Sequence, residues 1–382
     1  MRLNPVLAEM RPYPFLALDE ARKRAQQNGA RLIDFSVGDP HEATDESIRR
    51  ALIDSLEERS RYPKAEGLPE LKAAVAGWCE RRYGVRLDPQ DEVMPTLGSK
   101  EAVFGLPFVA MDARSEKNLV VVCEPGYPIP ERGALLAGAR VVRLPLREKN
   151  RFLPDLDELS PETWDQVAIL WVNYPNNPTA ALAPLDFYEE LARRAARHDF
   201  LVASDEAYSE IYFGEPPVSA MQVRDRSRIA VFNTQSKRSS MTGYRSGFVV
   251  GPPALIAGLK LYRPLAGVAV PEFIQRATIT ALASEKHVER MRAVYAAKRD
   301  LFLEFFDLKR IRIAGSEATF YLWCEVPAGE SSESFAARLL EAGVVVAPGT
   351  FFGGAGEGYF RVALVPTLED CRRAVEILEG VL

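Results

Sequence analysis

Histidine is scarce in this sequence. His41, His198 and His287 are the only three, and they lie far apart along the chain. A histidine-based metal centre is therefore not expected. Cys79, Cys123, Cys324 and Cys371 are equally scattered, without paired metal spacing. Four thiols in 382 residues make no disulfide framework, which points to a reducing compartment, the cytoplasm. Long apolar runs are missing too: none approaches the roughly 20 residues that span a bilayer. The start, Met1-Arg2-Leu3-Asn4-Pro5, lacks the apolar centre of a secretory signal. There is no excess of positive charge, since 48 Lys and Arg face 53 Asp and Glu for a net charge of −5. That balance argues against a nucleic-acid footprint or a basic membrane-surface stripe. An anionic small molecule would have to be captured by a few placed cations, not by the field of the whole molecule. Internal repeats and low-complexity tracts are also lacking.

Apolar residues make up 47% of the chain and charged residues 26%, ample for a soluble protein with a sizeable core. The length exceeds what one simple core usually supports, so two domains are expected. The centre alternates short apolar runs with helical patterns. Leu119–Cys123, Arg140–Leu144, Val167–Val172, Phe200–Ala203, Arg228–Phe232 and 247–251 read as strands. Helices are expected over Ser47–Glu57, Leu68–Tyr83, Glu131–Ala137 and Pro184–His198, and one opens at Gly98. Continuous apolar strands separated by helices predict an α/β fold with a mostly parallel central sheet sandwiched by helices. Near Glu285 the pattern changes. A long helix, His287–Phe306, leads into strands at Ala318–Cys324, Val344–Val346 and Tyr359–Leu364, with helices at Ser334–Ala342 and Leu368–Leu378. Upstream, Ala17–Gln27 reads as a helix and Arg31–Val37 as a strand. The expected division is a large domain over 36–285 and a smaller α+β domain over 1–35 plus 286–382.

The chain is organised around the run Asn233-Thr234-Gln235-Ser236-Lys237-Arg238-Ser239-Ser240-Met241-Thr242-Gly243-Tyr244-Arg245-Ser246-Gly247. It joins two of the apolar strands. Hydroxyls and a guanidinium are the groups that hold a phosphate, the latter with two parallel charge-assisted bonds. A lysine among them raises the possibility of a Schiff base with a carbonyl cofactor. Read alone, the stretch could equally be a solvated basic loop. Its surroundings favour the chemical reading. In an open α/β sheet, ligands bind beyond the carboxyl ends of the strands, and each polar cluster falls there. Tyr127 follows one strand in Pro125-Gly126-Tyr127, Asn177 a second, Asp205 a third and Lys237 a fourth. Gly98-Ser99-Lys100 at a helix start suits a phosphate, because free N–H groups and the positive end of the dipole point outward there. Asp205 could be a helix cap or an ion-pair partner, or it could pair with a protonated ring nitrogen. Two unit charges near 4 Å attract by about 4 kcal/mol at an effective dielectric of about 20. Arg361, inside the apolar strand around Phe360 and Val362, could form a structural ion pair or hold a substrate carboxylate bidentately.

In combination these residues resemble the fold-type I, pyridoxal-phosphate-dependent aminotransferases of the class I/II group. The likeness runs from about Tyr13 to Leu378 and keeps the family order. Tyr62 with Gly67 comes first, then Gly98-Ser99-Lys100, Pro125-Gly126-Tyr127, Asn177-Pro178-Thr179, Asp205 with Tyr208, Lys237 with Arg245, and Arg361. The resemblance implies pyridoxal 5′-phosphate as cofactor. Lys237 would hold it as a Schiff base and move the proton, and Asp205 would hold the ring nitrogen. Asn177 and Tyr208 would bond to the ring oxygen, and Tyr127 would stack on the ring. The backbone of Ser99 and Lys100, the hydroxyls of Thr234 and Ser236, and Arg245 would hold the phosphate. Tyr62 would reach the phosphate of a neighbouring subunit, which implies a homodimer. Arg361, Asn177 and the backbone of Gly38 would take the substrate α-carboxylate. Ala180 departs from the pattern, standing where the family usually has glycine.

Some segments are most similar to N-succinyl-diaminopimelate aminotransferases of bacterial lysine biosynthesis. They are Tyr13-Pro14-Phe15, Arg61-Tyr62-Pro63-Lys64, Leu68-Pro69-Glu70-Leu71, 318–323 and 361–365. The implied reaction passes an amino group from glutamate to N-succinyl-2-amino-6-oxopimelate. Aminotransferases acting on alanine, aspartate or aromatic amino acids share parts of the pattern, as do C–S β-lyases. For the distal end of the substrate the candidate segments are 11–15 and 263–271. An effector-binding module of a transcription regulator is a further alternative, disfavoured by the short arm before Phe35.

Overall fold

The computed structural model describes residues 1, 3–9, 18, 20, 22, 23, 27, 31–59 and 61–382. The helix expected over 17–27 lies largely outside these residues, and Tyr13-Pro14-Phe15 lies wholly outside them. Thirteen strands are described: β1 (Ile33–Asp34), β2 (Val93–Thr96), β3 (Leu119–Glu124), β4 (Arg140–Pro145), β5 (Val167–Asn173), β6 (Leu201–Asp205), β7 (Ile229–Thr234), β8 (Gly247–Val250), β9 (Ile313–Gly315), β10 (Tyr321–Glu325), β11 (Val344–Val345), β12 (Ala347–Pro348) and β13 (Tyr359–Ala363). Seven of them form the central sheet in the order β2-β8-β7-β6-β5-β3-β4. Neighbours from β7 to β4 run parallel, while β8 is antiparallel to both β2 and β7.

The central strands are apolar throughout because both faces are covered. On one face Leu170, Val172, Val202 and Val231 pack with Trp78, Tyr188 and Leu191. On the other, Ile169, Trp171, Ala203 and Phe232 pack with Val103, Leu106 and Leu259. The helix Leu185–His198 shows how sequence writes one such layer. Its buried residues, Tyr188, Leu191, Ala192 and Ala195, recur at three- and four-residue spacing on one stripe. Truncating Leu191, which is fully buried, would cost about 2–5 kcal/mol. The helix Pro69–Tyr83 begins with a proline, whose missing N–H is not needed there. It stops at Gly84, whose φ of 71° lets its N–H close on the Glu80 carbonyl.

A four-stranded sheet, β12-β13-β10-β9, lies in the C-terminal part of the chain, where β11 also pairs in parallel with β1 from the N-terminal part. The long helix Lys286–Leu308 covers them through Tyr295, Phe302, Phe305 and Phe306. The strand expected over Arg31–Val37 shortens to β1. Asp34 Oδ1 accepts from the Ser36 N–H at 2.8 Å and from its hydroxyl, turning the backbone away from ladder pairing. Likewise the strand expected from Ala318 starts only at Tyr321, because Thr319 has a φ of 65°. The edge strand β2 was not anticipated from its sequence, Val93-Met94-Pro95-Thr96, as proline argues against a sheet and is tolerated at an edge. Helices Pro253–Leu265 and Glu272–Leu282 were also not anticipated.

Candidate active site

A cavity of about 690 Å³ opens beyond the carboxyl ends of β3, β5, β6 and β7. It lies within the size range of small-molecule sites. Asp205 is the last residue of β6 and stands beside Asn173, the last residue of β5, in parallel register. Lys237 follows β7 on a single helical turn, Gln235–Arg238. Thr234 caps that turn, its hydroxyl accepting from the Ser236 N–H at 3.2 Å.

One end of the cavity gathers hydrogen-bond donors of the kind that suit an oxyanion. The helix Gly98–Gly105 starts there, and its N-cap residue, Leu97, offers no side-chain acceptor. The N–H groups of its first turn are thus left for a ligand. Ser99, Lys100, Thr234, Ser236 and Arg245 all line this end. Arg245 is steered by the Thr242 carbonyl at 2.9 Å and the Leu97 carbonyl at 3.3 Å. Two glycines permit the close approach. A Cβ on Gly98, whose φ is 68°, would lie 2.7 Å from Arg245 Nη2, and one on Gly247 would lie 3.0 Å from the Ser99 nitrogen. Burial lowers the pKa of Lys100, and the charge of Arg245 adds to the effect.

Lys237 and Asp205 occupy the middle. Lys237 Nζ donates to the Gly38 carbonyl. Burial is the main force pushing its pKa down to about 8; Asp39 opposes it, while Arg361, Lys100 and Arg245 reinforce it. Burial raises Asp205 to about 6, against the Ala207 N–H and Lys237, which both favour its charged form. Asn173 braces this region on both sides. Its Nδ2 donates to the Asp205 carbonyl at 2.8 Å, and its Oδ1 accepts from the Asn177 N–H at 2.9 Å. Tyr208 shares a hydroxyl–hydroxyl bond of 2.8 Å with Tyr321.

The far wall carries Arg361 of β13, only 2% exposed. Its Nη1 donates to Asn177 Oδ1 at 2.6 Å, and its Nη2 to the Ser36 carbonyl. The guanidinium carbon sits 4.1 Å from the centre of the Tyr321 ring and 4.5 Å from that of Phe352. These contacts hold the cation in place on the cavity wall. Gly38 closes this corner: a Cβ there would fall 1.9 Å from the Tyr321 hydroxyl.

The cavity brings together Gly38, Ser99, Lys100, Tyr127, Asn177, Asp205, Tyr208, Thr234, Ser236, Lys237, Arg245 and Arg361. Tyr62 is not among its lining residues; it is 102% exposed on the protein surface. Arg263 also lies away from the cavity, buried against Glu101. Segment 11–15 is outside the described residues. Sequence reading did not single out Asp39, Asn173, Tyr321 and Phe352, which line the site. Asp39 and Asn173 could have been found as polar neighbours of Gly38 and Asn177. Tyr321 carries no local signal, because as a strand residue it reads as ordinary core.

Residues 30–378 match the family Aminotransferase class I and II, and the chain belongs to that family. It is a pyridoxal-phosphate-dependent aminotransferase. Over 97% of its length it is 38% identical to the LL-diaminopimelate aminotransferase of Nitratidesulfovibrio vulgaris strain Hildenborough, of which the match covers 96%. Its fold matches that of substrate-bound BacF from Bacillus subtilis with a TM-score of 0.94 at 29% identity, covering 100% of this chain and 98% of the other. A probable N-succinyldiaminopimelate aminotransferase from Thermus thermophilus matches with a TM-score of 0.90 at 30% identity, covering 96% and 100%. The donor set fits the family's cofactor. An uncapped helix start with an arginine offers a phosphate seat, a buried aspartate stands mid-cavity, and a lysine of lowered pKa lies beside it.

Proposed function

We propose that this aminotransferase exchanges an amino group between glutamate and a dicarboxylic amino acid of the diaminopimelate class. The observation that carries the reading is the placement of Arg361 on the cavity wall, with Asn177 Oδ1 fixing one arm of its fork and the Ser36 carbonyl the other. A guanidinium fixed in this way is prepared for an α-carboxylate, as every transaminase substrate requires. Pyridoxal 5′-phosphate, when bound, supplies the carbonyl that takes the amino group and a ring that accepts electrons. The chain's own groups do the rest. Ser99, Lys100, Thr234, Ser236 and Arg245 would seat the phosphate. Asp205, once facing a positive ring nitrogen, would be held ionised, because an opposite charge offsets the cost of its burial. Asn177 and Tyr208 would orient the ring oxygen, and Tyr127 would lie against the ring face. Lys237 Nζ would carry the proton to and from the substrate α-carbon. Its pKa of about 8 suits it to give and take a proton near neutrality.

The relatives' names support the substrate class. One is an LL-diaminopimelate aminotransferase and another a probable N-succinyldiaminopimelate aminotransferase. The two substrates differ in whether the distal amino group is free or acylated. The 38% identity across nearly the full chain favours the free form, in place of the N-succinyl compound expected from the sequence segments. Purified enzyme with 2-oxoglutarate should form glutamate from LL-diaminopimelate faster than from its N-succinyl derivative, aspartate, alanine or phenylalanine. Faster turnover of any of the others would overturn the assignment. Release of pyruvate and thiol from cystathionine would favour the β-lyase alternative.

The proposed organisation assigns residues 36–285 to a large cofactor-binding domain and 1–35 plus 286–382 to a small one. A homodimer is part of the same reading. Tyr62 stands exposed and off its own cavity, free to serve a neighbour's phosphate, and Leu261 and Leu265 are exposed apolar residues that a partner would cover. The cytoplasm is the proposed compartment, on the four free thiols.

A further inference from the structure

Behind the oxyanion end of the cavity lies a second layer of charge. Glu101 sits one turn into the helix Gly98–Gly105, and its Oε1 accepts the Leu97 N–H at 3.0 Å. The carbonyl of Leu97 accepts from Arg245. The backbone of Leu97 is therefore tied through its N–H to Glu101 and through its carbonyl to the cavity's arginine. Arg263, from the helix Pro253–Leu265, donates through Nη1 to the same Glu101 oxygen. It is 1% exposed, and among the described residues its Nε and Nη2 have no hydrogen-bond partner. A guanidinium buried on a single carboxylate contact is a poor way to join two helices. Packing already joins them, since Tyr262 lies against Gly105 and stacks on Phe108.

The electrostatics suggest another use. A carboxylate in the first turns of a helix is favourable to the helix. At this helix, however, it stands close to where an anionic ligand would bind, and it would repel that ligand. A buried arginine on its far side cancels the charge without entering the cavity. We propose that Arg263 and Glu101 are positioning residues for the cofactor phosphate: Glu101 orients the backbone of Leu97, and Arg263 neutralises Glu101 so that the seat remains attractive to an anion. This rests on reading Ser99, Lys100 and Arg245 as the phosphate seat.

The test compares binding of pyridoxal 5′-phosphate with binding of pyridoxal, which lacks the phosphate, by absorbance titration of the apo-enzyme. Arg263→Met should weaken binding of the phosphorylated compound about tenfold, the scale of one uncancelled charge nearby, and leave pyridoxal binding unchanged. Adding Glu101→Gln to Arg263→Met should recover part of the loss, because it removes the repelling carboxylate. Equal weakening for both compounds, or none, would overturn the proposal. Arg245→Met serves as the control. If it too fails to separate the two compounds, the phosphate-seat reading itself is wrong; if it separates them and Arg263→Met does not, only the present inference fails. Should Arg263→Met not fold, as judged by circular dichroism, Arg263→Gln keeps a donor to Glu101, removes the charge and carries the same expected sign.

Discussion

Arg361 and Asn177 are 184 positions apart in sequence, and their side chains meet at 2.6 Å. The contact joins β13 of the smaller sheet to the loop after β5 of the larger one, and it sets the angle at which the guanidinium faces the cavity. Truncating a buried, hydrogen-bonded cation that binds a carboxylate costs about 2–5 kcal/mol. Arg361→Met should therefore lower kcat/KM for every amino donor by at least roughly 30-fold. Arg361→Lys should fall between, as it keeps the charge and loses the fork. Steady-state kinetics with two donors would check this, and an unchanged kcat/KM would remove Arg361 from substrate binding.

The pKa of Lys237, lowered to about 8 by burial foremost, makes a prediction about cofactor uptake. Only the neutral amine is a nucleophile. The rate at which apo-enzyme takes up pyridoxal 5′-phosphate should rise with pH and level off above about 8, well below the range of an ordinary lysine. Stopped-flow absorbance would show the plateau. Lys237→Ala should fold and yield no borohydride-trapped adduct.

Ala180 stands where the family usually has glycine, and its φ is 59°. The Asn176 carbonyl accepts its N–H at 2.9 Å, so the turn is held in this left-handed form. A side chain there costs about 1–2 kcal/mol relative to glycine. Ala180 is fully buried, and loss of its methyl offsets part of the gain. Ala180→Gly should stabilise the protein by up to about 1 kcal/mol. Chemical denaturation of both proteins would measure it, and a destabilised variant would refute the argument.

Glu206 follows Asp205 but points into the core. Its Oε1 accepts from the Ala220 N–H at 2.8 Å and the Ser204 hydroxyl at 3.0 Å, while Oε2 lacks a hydrogen-bond partner among the described residues. Burial pushes its pKa from 4.5 up to about 7. The folded state thus keeps a proton that the unfolded chain releases near pH 4.5. Its contribution to stability falls as pH rises from about 4.5 to 7 and stays lost above that. Glu206→Gln should flatten this part of the stability profile and gain on the order of 2 kcal/mol at about pH 8 relative to about pH 4.5. Denaturation midpoints of the apo-enzyme at both pH values would test the sign.

Much of the candidate site's lining was legible because its groups sit at strand ends. The alternation of apolar runs and helices marked the sheet, and the chemistry clustered where such sheets bind ligands. Asp205, Asn177 and Lys237 could be placed on that basis alone. The short β1 and the proline-bearing β2 were less legible. Local side-chain bonding by Asp34 ended the first, and only pairing with β8 established the second.

The order of chemical groups along the chain, and the sheet that gathers them, follow from local pattern: periodicity, turn residues and helix starts act over a few positions. The Tyr208–Tyr321 bond, the seat of Arg361 on the Ser36 carbonyl, and the Arg263–Glu101 pair behind the cradle do not. Each joins residues more than 100 positions apart. Their side chains meet only when separate layers pack, and no short-range signal distinguishes them beforehand from ordinary core or surface residues.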